Sequence, residues 1–592
     1  EYGEFGAHNY GSEWKHDGTS HWRECQTEGC TAKTDVAKHS GGQATYQKKA
    51  ICSVCKVSYG EVKKEDKATK VATQIKKLDV KVSNLTMKKI SEVQAVRKAY
   101  NVLSKKEKDT IKKEVSTLTK AETLIKQNNC GTNVYYRFSN NTLTIFGKGA
   151  MKNCFTGSFT SKNIKSKIKN RIYQKYASKV VNVVVEQGVT KIGNGAFACM
   201  PKLKTARIQG SIGTAAFWGC TNLEKVTYVN GKGTMEFACF AECKKLKNIV
   251  IAEGVSAMDK SCFANCKKLK KVVIGKDVKK IGKYAFSHTK VTSVNIPNKV
   301  KKIETGTFAY CKKLKKVNIG KKVTKIKGFA FWNCNNIKKI EIPNSVKVIE
   351  KQAFYKCKKL EKLKLGNNVQ TIGNSAFQTT NIKNVKIPNS VKAMGVAAFD
   401  SDKTKINVEI PGNITVDKAH WISVCNAGKI TFTTDLNIEL IQHLEAEDFE
   451  VSKNDPNYTS IDGNIYTKDG KTLVRVAALK KNVRIVDGCE NICTSAFLYT
   501  PLGLNWEAKL RKHIDNLFIP KTVKNIDEKS YITYESEPEK ITSEERAKVQ
   551  KGAVTINNIQ IENKNFDVNI LSKLLDKVTC NKDEVLKQMA AK

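Results

Sequence analysis

The sequence predicts an α+β protein of several modules, whose largest part is a solenoid with a parallel β ladder of about 22–23 residues per coil. In this prediction a small zinc-ribbon-like module and a three-helix module precede the solenoid. Three observations support it: a phenylalanine that recurs at a near-constant spacing, two cysteine pairs near the start, and a proline-free, lysine-rich stretch between those cysteines and the repeats. A chain of 592 residues is too long for one globular core, whereas an array with added modules accommodates it.

The phenylalanine repeat defines the array. It recurs at spacings of 20 to 23 residues, at Phe197, Phe217, Phe240, Phe263, Phe286, Phe308, Phe331, Phe354, Phe377 and Phe399. A period of this length is typical of a solenoid whose units bury their apolar faces only against their neighbours. In residues 306–326, Leu314, Val317 and Ile319 match the leucine-rich spacing L-x-x-L-x-L. We therefore predict a leucine-rich-repeat solenoid in which KVNI forms one strand of the ladder.

Changes of composition divide the chain into six predicted segments. They are a Cys/His zinc-ribbon-like module (1–62), a helical bundle module (67–127), a β-hairpin cap leading into the array (130–180), the leucine-rich repeat solenoid (181–410), an irregular insert with terminal repeats (411–535) and a partly helical C-terminal extension (536–592). Within the extension, residues 568–578 are typical of a short helix.

The first module is defined by its cysteines. Cys25-x4-Cys30 and Cys52-x2-Cys55 are separated by 21 residues, close to the ribbon spacing by which four thiolates enclose a tetrahedral zinc ion. These four cysteines are the predicted metal ligands, and structural zinc is the predicted cofactor. Two disulfides, or four reduced thiols, are the alternatives that the spacing leaves open.

Two histidines of the same module are candidate substitute ligands, His21 and His39. The sequence favours their interpretation as packing or surface side chains beside Trp14 and Trp22. A zinc ion held by four protein ligands would be structural, because no coordination position stays open for a substrate.

The second module carries apolar residues at helical spacing, Val93, Val96, Tyr100 and Leu103. Ser104 with Glu107 and Thr119 with Glu122 match the capping-box pattern, which predicts a helix start at each serine or threonine.

Beyond this module, residues 133–151 alternate in polarity around an Asn-Asn pair. This pattern predicts a hairpin that shields the open edge of the first coil.

The charge of the chain is extreme, at +48, and only nine of its 104 basic residues are arginine. Lysine is a hydrated point charge, whereas the forks that grip phosphates or read bases are usually arginine. A solvated surface is the first interpretation of this charge, and a polyanion-binding face is the second.

No apolar stretch approaches the roughly 20 residues that a bilayer span needs. Because the chain starts at Glu1, we expect a processed or truncated amino terminus in which no signal peptide would be visible.

The outward positions of the predicted ladder strands form the candidate binding site. They are Arg207, Lys225, Lys271, Lys316, Asn318, Lys339, Lys362, Lys364, Asn384 and Lys386, with Glu341 as the acidic exception. Such a basic ribbon suits an extended anionic partner: a glycan, a cell-wall polymer, or an acidic segment of a host or matrix protein. Nucleic acid is disfavoured because no stacking aromatic residues alternate with the basic positions. Solvation of the ladder is the competing interpretation of each lysine.

Catalysis is not predicted. The eight histidines are scattered, and the chain lacks the G-x-S-x-G and H-E-x-x-H motifs and a phosphate-binding glycine loop.

Several cysteines, such as Cys220 and Cys334, lie three residues after a repeat phenylalanine. We predict that they are small buried structural thiols rather than a row of metal-binding or redox-active cysteines. Thr289 and Thr380 occupy the same slot, which indicates that the slot requires a small residue.

The repeat A-F-x-x-C-x-x-L-x-x-V-x-I-P, clearest in residues 308–343, resembles the BspA-like leucine-rich repeat of bacterial surface proteins. The lead-in NTLTIFGKGAM is similar to the segment that opens such arrays, and both front modules are similar to modules found beside them. The resemblance implies a non-enzymatic protein, secreted or on the cell surface of a bacterium, that mediates adhesion or protein binding. The alternative is a structural envelope spacer held to anionic wall polymers by its lysines.

Overall fold

The computed structural model describes residues 7–45, 48–62, 66–160, 163–229, 231–395, 397–401, 405–414, 424–477, 479–493, 495–497, 512–527 and 554–562. The chain forms two compact units, Glu1–Asn128 and Asn129–Lys592. The helix predicted for residues 568–578 lies outside the described residues.

The first unit begins with two small sheets. Strands β1 (Lys15–His16), β2 (Ser20–Glu24) and β3 (Lys33–Lys38) form an antiparallel sheet, and β4 (Ala50–Ile51) pairs with β5 (Ser58–Tyr59). The buried apolar side chains among the described residues of 7–62 are those of Cys25, Ala50 and Cys52. This segment therefore lacks a conventional hydrophobic core.

The rest of the first unit is helical, with α1 (Lys67–Lys76), α2 (Met87–Asn101), α3 (Lys105–Thr110) and α4 (Lys112–Gln127). Its core is a cluster that includes Ile75, Val93, Val96, Leu103 and Leu118. The module has three longer helices, and the short α3 adjoins α4 through Ile111 alone.

The two predicted helix starts had different outcomes. Ser104 and Glu107 form both hydrogen bonds of a capping box at the start of α3. The start predicted at Thr119 is wrong, because Thr119 lies inside α4. Glu122 instead accepts two hydrogen bonds of 2.6 Å from the Arg97 guanidinium on α2, so a tertiary ion pair uses the carboxylate that the pattern assigned to a cap.

The second unit opens with a cap of short elements. They are β6 (Asn129–Gly131), β7 (Val134–Ser139), β8 (Thr142–Gly147), β9 (Gly149–Ala150), α5 (Ile164–Lys167) and the 3-10 helix Gln174–Tyr176. The predicted hairpin is present, since β7 and β8 pair antiparallel. Asn140 and Asn141 both have positive φ, at 46° and 57°, as a type I′ turn requires.

Two parallel ladders then run along the array. The strands of the first ladder are β10 (Asn182–Val185), β12 (Thr205–Ile208), β14 (Lys225–Tyr228), β16 (Asn248–Val250), β18 (Lys271–Val273), β20 (Ser293–Asn295), β22 (Lys316–Asn318), β24 (Lys339–Glu341), β26 (Lys362–Lys364), β28 (Asn384–Lys386) and β30 (Ile406–Ile410). Those of the second are β11 (Val189–Ile192), β13 (Ser211–Ile212), β15 (Gly233–Met235), β17 (Val255–Met258), β19 (Lys280–Ile281), β21 (Lys302–Ile303), β23 (Lys325–Ile326), β25 (Val348–Ile349), β27 (Thr371–Ile372) and β29 (Ala393–Met394). The parallel-ladder solenoid is thus confirmed.

The core between the ladders is a column of equivalent side chains. Neighbouring repeat phenylalanines from Phe217 to Phe399 stack with ring centroids 4.9 to 5.5 Å apart and nearly parallel planes. Beside them, the thiol of Cys334 donates to the carbonyl of Phe308 at 3.1 Å, and the thiol of Cys357 donates to that of Phe331 at 3.2 Å. Ring stacking therefore joins neighbouring coils, and a buried sulfur hydrogen bond is added where a coil carries cysteine in this slot.

Regular pairing extends beyond the predicted end of the solenoid at 410. The first ladder continues through β31 (Val424–Phe432) and β32 (Leu444–Glu450), which flank the 3-10 helix Ile438–His443. Then follow β33 (Tyr458–Ile461), β34 (Asn464–Thr467), β35 (Thr472–Arg475), β36 (Asn482–Arg484), β37 (Asn491–Cys493), β38 (Lys512–Ile519), β39 (Asn525–Asp527) and β40 (Val554–Ile561). Because β40 pairs parallel with β38, which pairs with β36, part of the predicted C-terminal extension belongs to a three-stranded parallel sheet.

Candidate functional site

The outer face of the first ladder is the candidate binding surface, and we call it the strand face. Each central strand exposes two side chains on either side of a buried one, as Lys316 and Asn318 do around Val317. All ten predicted binding residues occupy such exposed positions. The solenoid register places Lys339 directly opposite Lys362 in the neighbouring strand.

Hydrogen bonds and ion pairs within the strand face engage some of these residues. Lys339 pairs with Glu341 at 2.6 Å, and Lys386 approaches Glu409 at 3.5 Å. The predicted asparagines join amide ladders, through Asn318 to Asn295 at 2.6 Å and Asn407 to Asn384 at 3.1 Å. These residues have less capacity left for a ligand.

Five lysines of the strand face form no ion pair among the described residues: Lys225, Lys271, Lys316, Lys362 and Lys364. Lys364 nevertheless lies directly opposite Glu341 in the neighbouring strand and helps to lower the pKa of that carboxyl. Three of these five lysines lie on β22 and β26, with β24 and its ion-paired Lys339 between these strands. We call Lys316, Lys362 and Lys364 the lysine cluster. Adjacent parallel strands are about 4.8 Å apart. Because the register places Lys339 opposite Lys362, lysine side chains on neighbouring strands lie about one strand spacing apart along the ladder.

The strand face differs from the continuous basic ribbon that the sequence suggested. Val250 and Val273 lie side by side on β16 and β18 and are 56% and 44% exposed. Farther along, Lys429 pairs with Glu450 at 2.9 Å, so the end of the ladder carries both signs of charge. The basic part of the strand face is thus bounded on one side by an apolar patch and on the other by a region that carries both lysine and glutamate. The alternation rule, applied to KNIVI and KKVVI as well, would have found the two valines.

A second surface was missed by the sequence reasoning. At the turns between ladders, the His288 and Tyr310 rings stack at 4.5 Å, and Tyr310 lies 4.7 Å from Trp332. Trp332 lies 6.5 Å from Tyr355, over which the ammonium of Lys356 sits at 5.0 Å. We call these aromatic residues the turn aromatic row. Its signal in the sequence was an aromatic residue one or two places after a repeat phenylalanine.

Among the residues of the first unit that the structure describes, two groups of potential metal ligands are present. In one, the ligand atoms of His21, His39, Cys52 and Cys55 all lie within 4.8 Å of one another. The sulfur of Cys52 is 3.6 Å from Nδ1 of His21, and the sulfur of Cys55 is 3.4 Å from Nδ1 of His39. The two histidines favoured as packing residues therefore lie at the cysteine pair.

The other group consists of His8, Cys25 and Cys30, with 3.3 Å between the Cys30 sulfur and His8 Nδ1. The structure thus separates the four predicted cysteine ligands into two pairs, each accompanied by histidine. The reason is the antiparallel sheet of β1, β2 and β3, which brings His21 and His39 rather than Cys25 and Cys30 to the Cys52 turn.

Electrostatics at the first group favour a thiolate. Burial tends to raise the pKa of Cys52, but hydrogen bonds from the Cys55 backbone and from His39 outweigh it, and the pKa falls to about 5. The hydrogen bond to the Asp17 carbonyl, together with Cys52, raises the pKa of His39. Backbone amides of Thr19 and Ser20 lower the pKa of Asp17 to about 2.

Two buried thiols of the solenoid behave in the opposite way. Burial raises the pKa of Cys220 and of Cys357 to about 12. Because the thiolate is the nucleophile, we expect iodoacetamide at about pH 8 to leave both cysteines unmodified in the folded chain and to modify them in urea. Peptide mass spectrometry measures this. Modification of either residue at the same rate with and without urea would contradict the structural assignment.

None of the described helices combines the length and apolarity needed to cross a membrane.

Comparison with known proteins places the repeats in a family. The profile described as "BspA type Leucine rich repeat region" matches in six copies, over residues 128–224, 210–338, 279–407 and 324–443. These ranges overlap and together cover more than half of the 592 residues. The comparison with curated proteins found no match.

Several solved structures are similar. A leucine-rich repeat protein from Bacteroides ovatus is 18% identical with a TM-score of 0.38, over 66% of this chain and 94% of that one. A leucine rich cell surface protein from Faecalibacterium prausnitzii is 20% identical with a TM-score of 0.30, over 54% of this chain and 94% of that one. The pneumococcal vaccine antigen PcpA is 17% identical with a TM-score of 0.29, over 54% and 98%. By the profile match over most of its array, the chain belongs to the BspA-type leucine-rich repeat family.

Proposed function

We propose that this chain is a non-enzymatic binding protein, secreted or on the cell surface of a bacterium, that holds an anionic partner on the strand face. The observation that carries the proposal is the lysine cluster, whose three side chains are exposed and form no ion pair among the described residues. Lys364 lies opposite Glu341, but that carboxylate is already paired with Lys339. Membership of a repeat family that builds extended surfaces agrees with it.

The spacing of the charges indicates the class of partner. Like charges that face each other on neighbouring strands repel, so a basic row costs stability unless an anion lies along it. An extended polyanion, such as a sulfated glycan, an anionic wall polymer or an acidic protein segment, would meet several lysines of successive coils at once. The apolar pair Val250 and Val273 gives the same face a place for non-polar contact, which favours a host or matrix protein over a polymer of charge alone.

The second candidate function is a structural spacer of the cell envelope, held to wall polymers by its lysines. The observation that favours it is the excess of charge over the whole chain, +48, which exceeds what one site requires. Exposed charges are screened over about 8 Å at physiological ionic strength, so salt distinguishes the two functions. A spacer loses its attachment at high salt, whereas a site that also makes apolar contacts retains part of its affinity.

The test uses a triple charge reversal, K316E/K362E/K364E, in the full chain. We measure binding to a panel of sulfated glycans, wall polymers and matrix proteins, each at low and physiological salt. Each exposed charge contact contributes about 0.2–1 kcal/mol, and reversal adds repulsion, so affinity for the selected ligand should fall about 100-fold.

The matched control reverses three exposed lysines that precede strands of the second ladder, K279E/K301E/K347E. It changes the net charge equally, and we expect it to change affinity less than about threefold. Equal losses in both variants would refute a site on the strand face and support the spacer. In Y310A/Y355A, which shortens the turn aromatic row, a larger loss than in the lysine variant would move the site to that row.

A further inference from the structure

We propose that His21, His39, Cys52 and Cys55 form a structural zinc site, in place of the four-cysteine site that the spacing of the sequence predicts. A tetrahedral ion with Zn–S bonds of about 2.3 Å and Zn–N bonds of about 2.05 Å places its sulfur and nitrogen ligands about 3.6 Å apart. The observed Sγ to Nδ1 distances are 3.6 Å for Cys52 with His21 and 3.4 Å for Cys55 with His39. These two sulfur–nitrogen pairs are therefore at or near the separation of one coordination sphere, and all four donor atoms lie within 4.8 Å of one another.

The orientation of His39 supports this assignment. Its Nε2 donates to the carbonyl oxygen of Asp17 at 2.9 Å, so Nδ1 is the ring nitrogen that faces the sulfurs and that a metal ion would bind after displacing any proton on it. A backbone carbonyl that holds the distal nitrogen is a common partner of metal-bound histidine. The edge of the Trp14 ring packs on His21 at 4.8 Å, and Tyr59 lies 5.2 Å from His39, so aromatic contacts also restrict both imidazoles.

The backbone around the cysteines has the shape of a metal-binding turn. Cys52 and Cys55 flank a tight turn closed by the hydrogen bond from Lys56 N–H to Cys52 C=O at 3.0 Å, and Lys56 has a left-handed φ of 62°. Both sulfurs then lie on the same side, facing the histidines. The ligands come from β2, the end of β3 and the turn between β4 and β5, so one ion would join both small sheets.

The segment also needs such a link. Among its described residues few apolar side chains are buried, whereas His21 and His39 are buried polar groups. A buried imidazole without a strong partner is unfavourable, and a segment with so little apolar core requires a metal or a covalent link. Two thiolates with two imidazoles at tetrahedral spacing select zinc, and four protein ligands leave no open position for catalysis.

The group of His8, Cys25 and Cys30 can be compared with the proposed zinc site in the same unit. Among the described residues it offers three donors rather than four, and His8 is exposed. The sequence prediction places Cys25 and Cys30 on the same ion as Cys52 and Cys55, whereas the inference leaves them off it.

The experiment measures zinc content and coordination in the full chain, purified with zinc and freed of loosely bound metal by gel filtration. In the C25S/C30S variant we expect one tightly bound zinc, with an X-ray absorption shell of two sulfurs and two nitrogens. The C52S/C55S variant should lose that ion. Loss of the ion in C25S/C30S, a shell of four sulfurs in the unaltered chain, or a Cys52–Cys55 disulfide in the purified protein would overturn the inference.

A third variant keeps the test decisive should C52S/C55S fail to fold. H39C replaces one imidazole by a thiolate without removing a ligand, and it should retain the ion with three sulfurs and one nitrogen in the shell. An unchanged shell in H39C shows that His39 is not a ligand and refutes the site. The readout is spectroscopic, so it is independent of whether the strand face binds a partner.

Discussion

Replacing Phe331 with alanine is expected to lower the free energy of unfolding of the array by about 3–5 kcal/mol. The ring is fully buried and stacks on Phe308 at 5.4 Å and on Phe354 at 5.0 Å. Its removal leaves a cavity in a column that cannot collapse, because the backbone of each coil is held by the ladders on both sides. Each lost ring pair adds about 0.5–1.5 kcal/mol to the loss of buried area.

Urea unfolding followed by circular dichroism measures this change. The control is F329A, the same chemical change two residues earlier, where the ring is half-buried and lies outside the stack. We expect F329A to cost less than half as much as F331A. Similar costs for both variants would show that the stacked column does not hold the array together.

Deletion of one complete coil, residues 309–331, is expected to leave a folded array. The deletion removes 23 residues and joins Phe308 to Trp332, which restores the Phe-Trp junction of the original chain. Because each coil contacts only its neighbours, the remaining coils can pair as before.

The comparison variant is a half-coil deletion of residues 309–319, which removes β22 but keeps β23. The strand that follows the deletion then meets the ladder out of register.

The half-coil deletion should therefore cost at least about 5 kcal/mol, since Leu314 and Val317 are lost and their partners are left uncovered. The midpoint of thermal unfolding and limited proteolysis compare the two deletions. The interpretation of the array as interchangeable coils would be wrong if the complete-coil deletion were the more damaging of the two.

Periodicity predicted the solenoid because burial in a repeat is local. Each of Leu314, Val317 and Phe331 lies at a fixed distance along the chain from its counterpart in the next coil, so spacing alone indicates which side chains meet. The same reasoning placed Lys316 and Lys362 on the outer face, where the structure exposes them. It did not identify which lysines are paired, because the coil period was applied to the apolar positions and not to carboxylates such as Glu409, which lies one coil after Lys386 and directly opposite it.

The metal ligands show the opposite case. The sequence contained the cysteines of the first module and both histidines, and its spacing favoured a site made of cysteine alone. Which donors share a site depends on how three short strands pair, and the register of β2 with β3 brings His21 and His39 together near Cys52. Likewise, the Thr119 and Glu122 pattern is a helix start in a peptide, but Arg97 of another helix binds that carboxylate in the fold.

The sequence by itself thus determined the class of the fold, the coil period and the inward and outward faces of each strand. These follow from the repeat of hydrophobic positions, and each depends on neighbours about one coil away. The tertiary structure alone decided the grouping of histidines with cysteines in the first module and the ion pair of Arg97 with Glu122. Those are contacts between residues without a periodic relation, and no local pattern specifies them.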